Sequence, residues 1–168
     1  MRAEVSMQKA LFVLCLSCLL TSLVGAQTKI SSTIKCTKAS IEHMVPVGDH
    51  PNHVFGVTQG SCTSSKPWTI AGVAAKDAVG TSALDVDGDV TKNRGVYVET
   101  MENGDKGVYH YELTAATKDG QVKVTAHKWQ LVGGTGKLKG VKGQGTCTGS
   151  GTADSMTYEC EGEYTLPK

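Results

Sequence analysis

The chain of 168 residues lacks an excess of charge of either sign: 17 Lys and Arg stand against 16 Asp and Glu. Without a basic patch it has no electrostatic footprint for nucleic acid or anionic membrane. Aromatic residues are few, at 5 %, and only 4 prolines occur. No segment carries a convincing 3.6-residue apolar period, which argues against a helical domain. Several chemical signatures are absent as well. No Gly-x-Ser-x-Gly elbow exists, no Ser–His–Asp order is supported by spacing, and nothing nominates a nucleophile. Past residue 26 there is no Cys-x-x-Cys pair, which excludes the usual zinc spacing. No cofactor motif is complete.

The single long hydrophobic run lies at the start. Lys9 precedes Ala10 to Leu20, and Val24-Gly25-Ala26 places short side chains where a signal peptidase inspects them. Met7 serves equally well as a start, leaving Gln8-Lys9 as the charged region. The run is short for a membrane span of about 20 residues and is broken by Thr21-Ser22. Residues 1–26 are therefore expected to be a signal peptide, and residues 27–168 a single secreted or periplasmic domain with no membrane attachment after cleavage. Removing Arg2, Glu4 and Lys9 leaves a formal net charge of zero. Of the 6 cysteines, Cys36, Cys62, Cys147 and Cys160 remain. An even count in an exported chain implies two disulfides. A hairpin turning at Ala153-Asp154 sets Cys147 across from Cys160, and Cys36–Cys62 follows by elimination.

Abundant glycine, valine and threonine point to strands and turns. Turn signals recur at Gly48 to Asn52, Asp87-Gly88, Asn103-Gly104, Asp119-Gly120 and Gly133-Gly134. The runs between them predict seven to nine antiparallel strands, a closed barrel or a sandwich. Pairing about Asn103-Gly104 and Asp119-Gly120 sets Val98 against Tyr109, Val96 against Tyr111, and Leu113 against Ala126. One face, the core or lumen, then carries Val96, Val98, Tyr109, Tyr111, Leu113, Ala115, Val122, Val124 and Ala126. The other carries Tyr97, Glu99, His110, Glu112, His127 and Trp129. A slip of one residue would exchange these neighbours.

The segment Gly133-Gly134-Thr135-Gly136-Lys137 to Gly145 fails the phosphate-loop pattern, since Leu131 and Leu138 stand where Gly and Ser or Thr are needed. Its glycines suit a coiling strand at a barrel corner. The spacing Gly-Gly-Thr-Gly-Lys-x-x-Gly-x-x-Gly-x-Gly resembles the late-strand motif of the allene oxide cyclase and dirigent-like barrels, and more closely that of exported bacterial proteins of unassigned function. The turn at Glu102 to Lys106 and the end at Tyr158 to Tyr164 are similar to that group too. The resemblance implies an antiparallel barrel of about eight strands, often assembled as homo-oligomers. None of the cyclase or dirigent catalytic residues matches a position here.

Four clusters are candidates for chemistry. His110, Glu112 and His127 share the outer face of the expected sheet, where two imidazoles and a carboxylate suit a divalent metal; the plainer reading is a solvated face with a His–Glu pair. Tyr97, His110 and Trp129 form a stripe on that same face, suited to a sugar, a protein or the N-terminal segment. Asp85-Val86-Asp87-Gly88-Asp89 looks calcium-like but departs from the EF-hand spacing, so it reads as an acidic turn. His43, His50 and His53 surround the loop from Gly48 to Asn52; three histidines so close could bind metal, and Pro46, Pro51 and Asn52 make an ordinary loop the plainer reading. Three functions are expected of such a barrel. The leading one is a non-enzymatic carrier of a small apolar or aromatic ligand, held near Tyr109, Tyr111 and Leu113. The others are a cyclase or isomerase, and an envelope protein with a filled interior.

Overall fold

The structure, a computed structural model, describes residues 27–167. The expected leader lies outside the described residues. Ten strands follow one another: β1 (Thr28–Thr37), β2 (Ile41–Pro46), β3 (His53–Lys66), β4 (Thr69–Ile70), β5 (Val73–Asp87), β6 (Val90–Met101), β7 (Lys106–Lys118), β8 (Gln121–Gly134), β9 (Lys142–Thr152) and β10 (Ser155–Thr165). Eight of them close an antiparallel barrel in the order β1-β10-β9-β8-β7-β6-β5-β3, with β3 returning to β1. Closure leaves no exposed edge within the barrel itself. The short β2 adds to β3 beyond the reach of β1, and β4 pairs with the start of β5. The expected all-β barrel is thus present, with two extra strands that the turn signals did not reveal.

Both disulfides join the residues anticipated for them. Cys36–Cys62 and Cys147–Cys160 each bridge directly paired residues on neighbouring strands, with Cα atoms 4.1 Å apart. The β9–β10 hairpin turns at Ala153-Asp154, setting Ser155 opposite Thr152. Two such bridges fit an oxidising compartment.

The register differs from the expected one in two places, and both differences have a local cause. At the β6–β7 turn three residues, Glu102 to Gly104, separate the closing pair Met101 and Asp105, rather than two. Gly104 takes φ +86°, and the Met101 N–H bonds to the Asp105 carbonyl at 2.8 Å. This is a tight turn closed by a left-handed glycine. It pairs Tyr97 with Tyr109 and Val98 with Val108. The β7–β8 hairpin begins as expected, with Asp119 and Gly120 both at positive φ and Ala115 opposite Val124. Thr125 is then an extra residue. The bulge moves the partner of Leu113 from Ala126 to His127, and that of Tyr111 to Trp129. Val96, Val98 and Ala126 therefore face outward, whereas Tyr97, Glu99, His127 and Trp129 face the interior. The expected outer stripe of Tyr97, His110 and Trp129 does not exist.

The glycine-rich segment makes room for the ring brought inside. Trp129 pairs with Gly145, which pairs with Gly162 on β10. A Cβ at either glycine would collide with the Trp129 indole and a neighbouring backbone carbonyl. Gly145→Ala should therefore destabilise the protein by about 1–3 kcal/mol, the usual cost of overpacking; a shift in the urea midpoint measures it.

Candidate functional site

The barrel is a cup. Its floor is sealed by two excursions of the chain. The β4 hairpin drives Trp68 and Ile70 inward, and its two-residue turn uses positive φ at Ala71 and Gly72. A single 3-10 turn, Gly136–Leu138, inserts Leu138, and Asp105 holds that turn by accepting from the Lys137 N–H at 2.9 Å. Above this floor lies a cavity of about 700 Å³. It opens at the end where the β5–β6, β7–β8 and β9–β10 hairpins turn, beside Lys38, Glu42 and Thr152.

Aromatic rings crowd the lower cavity. Trp68 stacks on Tyr109 at 5.8 Å, Trp129 leans on both, and Tyr97 meets Tyr109 edge-on at 6.0 Å. Glu99 lies beneath them, 2 % exposed. Its carboxylate accepts from Trp68 Nε1 at 2.8 and 3.0 Å and from the Tyr109 hydroxyl at 2.8 Å. Burial pushes the Glu99 carboxyl above its ordinary range, and these donors pull it only partway back. Higher up, Tyr111, Leu113, Ala115, Val124 and Tyr158 line the wall, and all four cysteines contribute to it. The three residues expected to line the lumen, Tyr109, Tyr111 and Leu113, do so.

The wall carries few polar atoms. Asn93, His127 and Trp129 line the cavity, and among the described residues Asn93 Oδ1, His127 Nδ1 and Trp129 Nε1 are buried without a protein hydrogen-bond partner. Burial lowers the His127 pKa from 6.5 to about 4, so its ring is neutral at physiological pH. His127 also stacks on Tyr111, with planes 9° apart.

A pH dependence follows from that ring. Its folded value lies below the unfolded one, so its contribution to stability is complete above pH 6.5 and is lost as pH falls toward 4. The loss should be about 1–2 kcal/mol, roughly half the unscreened linkage value because the ring is only part-buried. His127→Gln should flatten the stability profile by that amount between these two pH values, as read by denaturant titration.

The expected metal cluster of His110, Glu112 and His127 is not assembled. Glu112 pairs with Lys128 rather than His127 and forms a salt bridge to it at 3.0 Å on the outer face. His110 is exposed on that face, opposite Gln130, while the Thr125 bulge turns His127 into the lumen. Trp68, Tyr97, Glu99, Trp129 and Asn93 belong to the site without having been anticipated there. Trp68 follows Lys66-Pro67 in a stretch with no strand or hairpin pattern, so no sequence signal placed it.

Comparison with known proteins assigns no function. No family model matches the chain, and no curated protein matches it. A solved protein of unknown function from Rhodopseudomonas palustris is similar to it at 7 % identity and TM-score 0.49, covering 82 % of this chain and 98 % of its own. Another, from the DUF3224 family of Shewanella oneidensis MR-1, is similar at 16 % identity and TM-score 0.47, covering 85 % of this chain and 99 % of its own. Neither bears an allene oxide cyclase or dirigent name.

Proposed function

We propose that this is an exported binding protein that holds a small, uncharged, largely apolar or aromatic ligand in the barrel lumen, and that residues 1–26 are the leader removed on export. The observation that carries this reading is the blind cavity of about 700 Å³. That size falls within the range of about 300–1,000 Å³ typical of small-molecule sites, and its walls are mainly apolar and aromatic with a few fixed polar atoms. The chemistry of the ligand follows from the wall. His127 is neutral, and the Glu99 carboxyl is occupied by Trp68 and Tyr109 beneath the cavity. Charged side chains meet the cavity only at its lip, in Lys38 and Glu42. A charged ligand would lose its hydration without gaining an ion pair. A flat apolar molecule with one or two polar substituents would bury its rings against Tyr111, Tyr158 and Leu113. Its substituents would answer Trp129 Nε1, Asn93 Oδ1 or His127 Nδ1.

The open lumen weighs against a filled structural barrel. The resemblance of the Gly133 to Gly145 motif to allene oxide cyclase and dirigent-like barrels enters this reading as a likeness of scaffold, without their chemistry. Native mass spectrometry of protein purified from its source tests the proposal. A stoichiometric small molecule, released on denaturation and uncharged at neutral pH, is expected. Apoprotein alone, with no mass shift on exposure to an extract of the source cells, would count against it.

A further inference from the structure

Two stretches that are far apart in the sequence meet at the lip of the barrel. The loop carrying Asp49 and His50 leads into β3 at His53, and the acidic stretch Asp85 to Asp89 ends β5. The pairing of β3 with β5 sets His53 opposite Asp87. Backbone bonds fix the loop on both sides: the Val47 N–H donates to the His53 carbonyl at 3.0 Å, and the Gly88 N–H to the Asn52 carbonyl at 3.2 Å. Left-handed turns at Gly48 and Asn52 fold the loop back over the strand end.

The side chains converge. His53 Nδ1 lies 2.8 Å from Asp49 Oδ1, and its Nε2 lies 2.9 Å from Asp85 Oδ1. His50 stacks beside His53 with centroids 5.0 Å apart, its Nε2 at 3.7 Å from Asp49 and 3.6 Å from Asp87. One ligand atom each from Asp49, His50 and His53 lies within 4.8 Å of the others.

We propose that Asp49, His50 and His53 form a binding site for a divalent transition metal of the zinc type. Two imidazole nitrogens and one carboxylate oxygen suit Zn²⁺, Ni²⁺ or Cu²⁺, whereas Ca²⁺ and Mg²⁺ favour oxygen alone. Tetrahedral coordination brings donor atoms to about 3.3 Å from one another, a closure that the exposed His50 ring provides by turning out of its stack. Asp85 supplies the supporting shell. It accepts from His53 Nε2 and so presents Nδ1 to the ion, the carboxylate–histidine–metal arrangement common in such sites. Asp87 is positioned to add a further oxygen. On binding, the hydrogen bond from His53 Nδ1 to Asp49 is replaced by bonds from both groups to the metal, and the Nδ1 proton leaves to solvent. The ion would tie the β2–β3 loop to the β5–β6 hairpin beside Val54 and Val86, which line the lumen.

Calorimetric titration of the disulfide-bonded protein with ZnCl₂ tests the site. One Zn²⁺ per chain is expected, with affinity lost in His50→Ala and in His53→Ala, weakened about 10–100-fold in Asp85→Asn, and unchanged in His43→Ala. His50→Ala alters one exposed loop side chain, so its loss of binding, with an unchanged far-ultraviolet spectrum, separates ligation from misfolding. Absence of Zn²⁺ binding, equal binding in His50→Ala, or CaCl₂ binding as tightly as ZnCl₂ would overturn the assignment.

Discussion

Reduction of both disulfides should remove about 6–7 kcal/mol of stability. Cys147–Cys160 closes a loop with sequence separation 13 and Cys36–Cys62 one with separation 26. Chain entropy assigns them about 3 and about 3.5 kcal/mol respectively. Small domains hold about 5–15 kcal/mol in all, so the reduced protein should lose most of its margin. Guanidinium titration with and without reductant measures the loss, and the Cys147→Ser/Cys160→Ser double variant should show about half of it. A difference below about 1 kcal/mol would mean that the bridges add little constraint to an unfolded chain that is already compact.

Trp68→Ala should cost about 3–5 kcal/mol, the usual penalty for deleting a buried indole. Trp68 is 4 % exposed and packs on Tyr109 and Trp129. It is also the main donor to Glu99. Alanine would open the floor and leave the buried carboxyl with Tyr109 alone, raising its pKa further. The sign follows from Glu99 itself. Its folded pKa already lies above the unfolded value of 4.5, so its ionisation weakens the fold as pH rises through that range. The penalty of Trp68→Ala should therefore grow toward neutral pH. Trp68→Phe keeps the ring and removes the donor, and should lose about 1–3 kcal/mol. Equal stabilities for the two variants would show that packing, and not the bond to Glu99, sets the effect.

The sequence revealed the cysteine pairing and the two-residue hairpins because both depend on local chemistry. Ala153-Asp154 and Asp119-Gly120 turn where their composition requires it, and the cysteines follow. The inner face was only half legible. Tyr109, Tyr111, Leu113 and Ala115 alternate along β7, and the Asp119-Gly120 turn sets Val122 and Val124 of β8 on the same face, so they reached the lumen together. Tyr97, Glu99, His127 and Trp129 did not, because one extra loop residue and the Thr125 bulge invert their faces, and neither device has a composition of its own. A buried glutamate was also hard to foresee, since the donors that make it tolerable lie 31 and 10 residues away in the chain. The meeting of the His50–His53 loop with Asp85 and Asp87 depends on β3 pairing with β5, which skips β4 and leaves no trace in local spacing.

The lumen should accept an apolar molecule. Ala115 and Ala116 are sequence neighbours on opposite faces of β7. Ala115 lines the cavity and is 4 % exposed, whereas Ala116 is outside it. Titration with the uncharged fluorophore N-phenyl-1-naphthylamine uses the only two tryptophans, Trp68 and Trp129, both lining the cavity, as reporters. The expected result is one probe per chain with quenched tryptophan emission. Affinity should fall about tenfold or more in Ala115→Phe, a loss of about 1.4 kcal/mol, and stay within about twofold in Ala116→Phe. Equal affinities in the two variants, or no quenching in the unaltered protein, would contradict it.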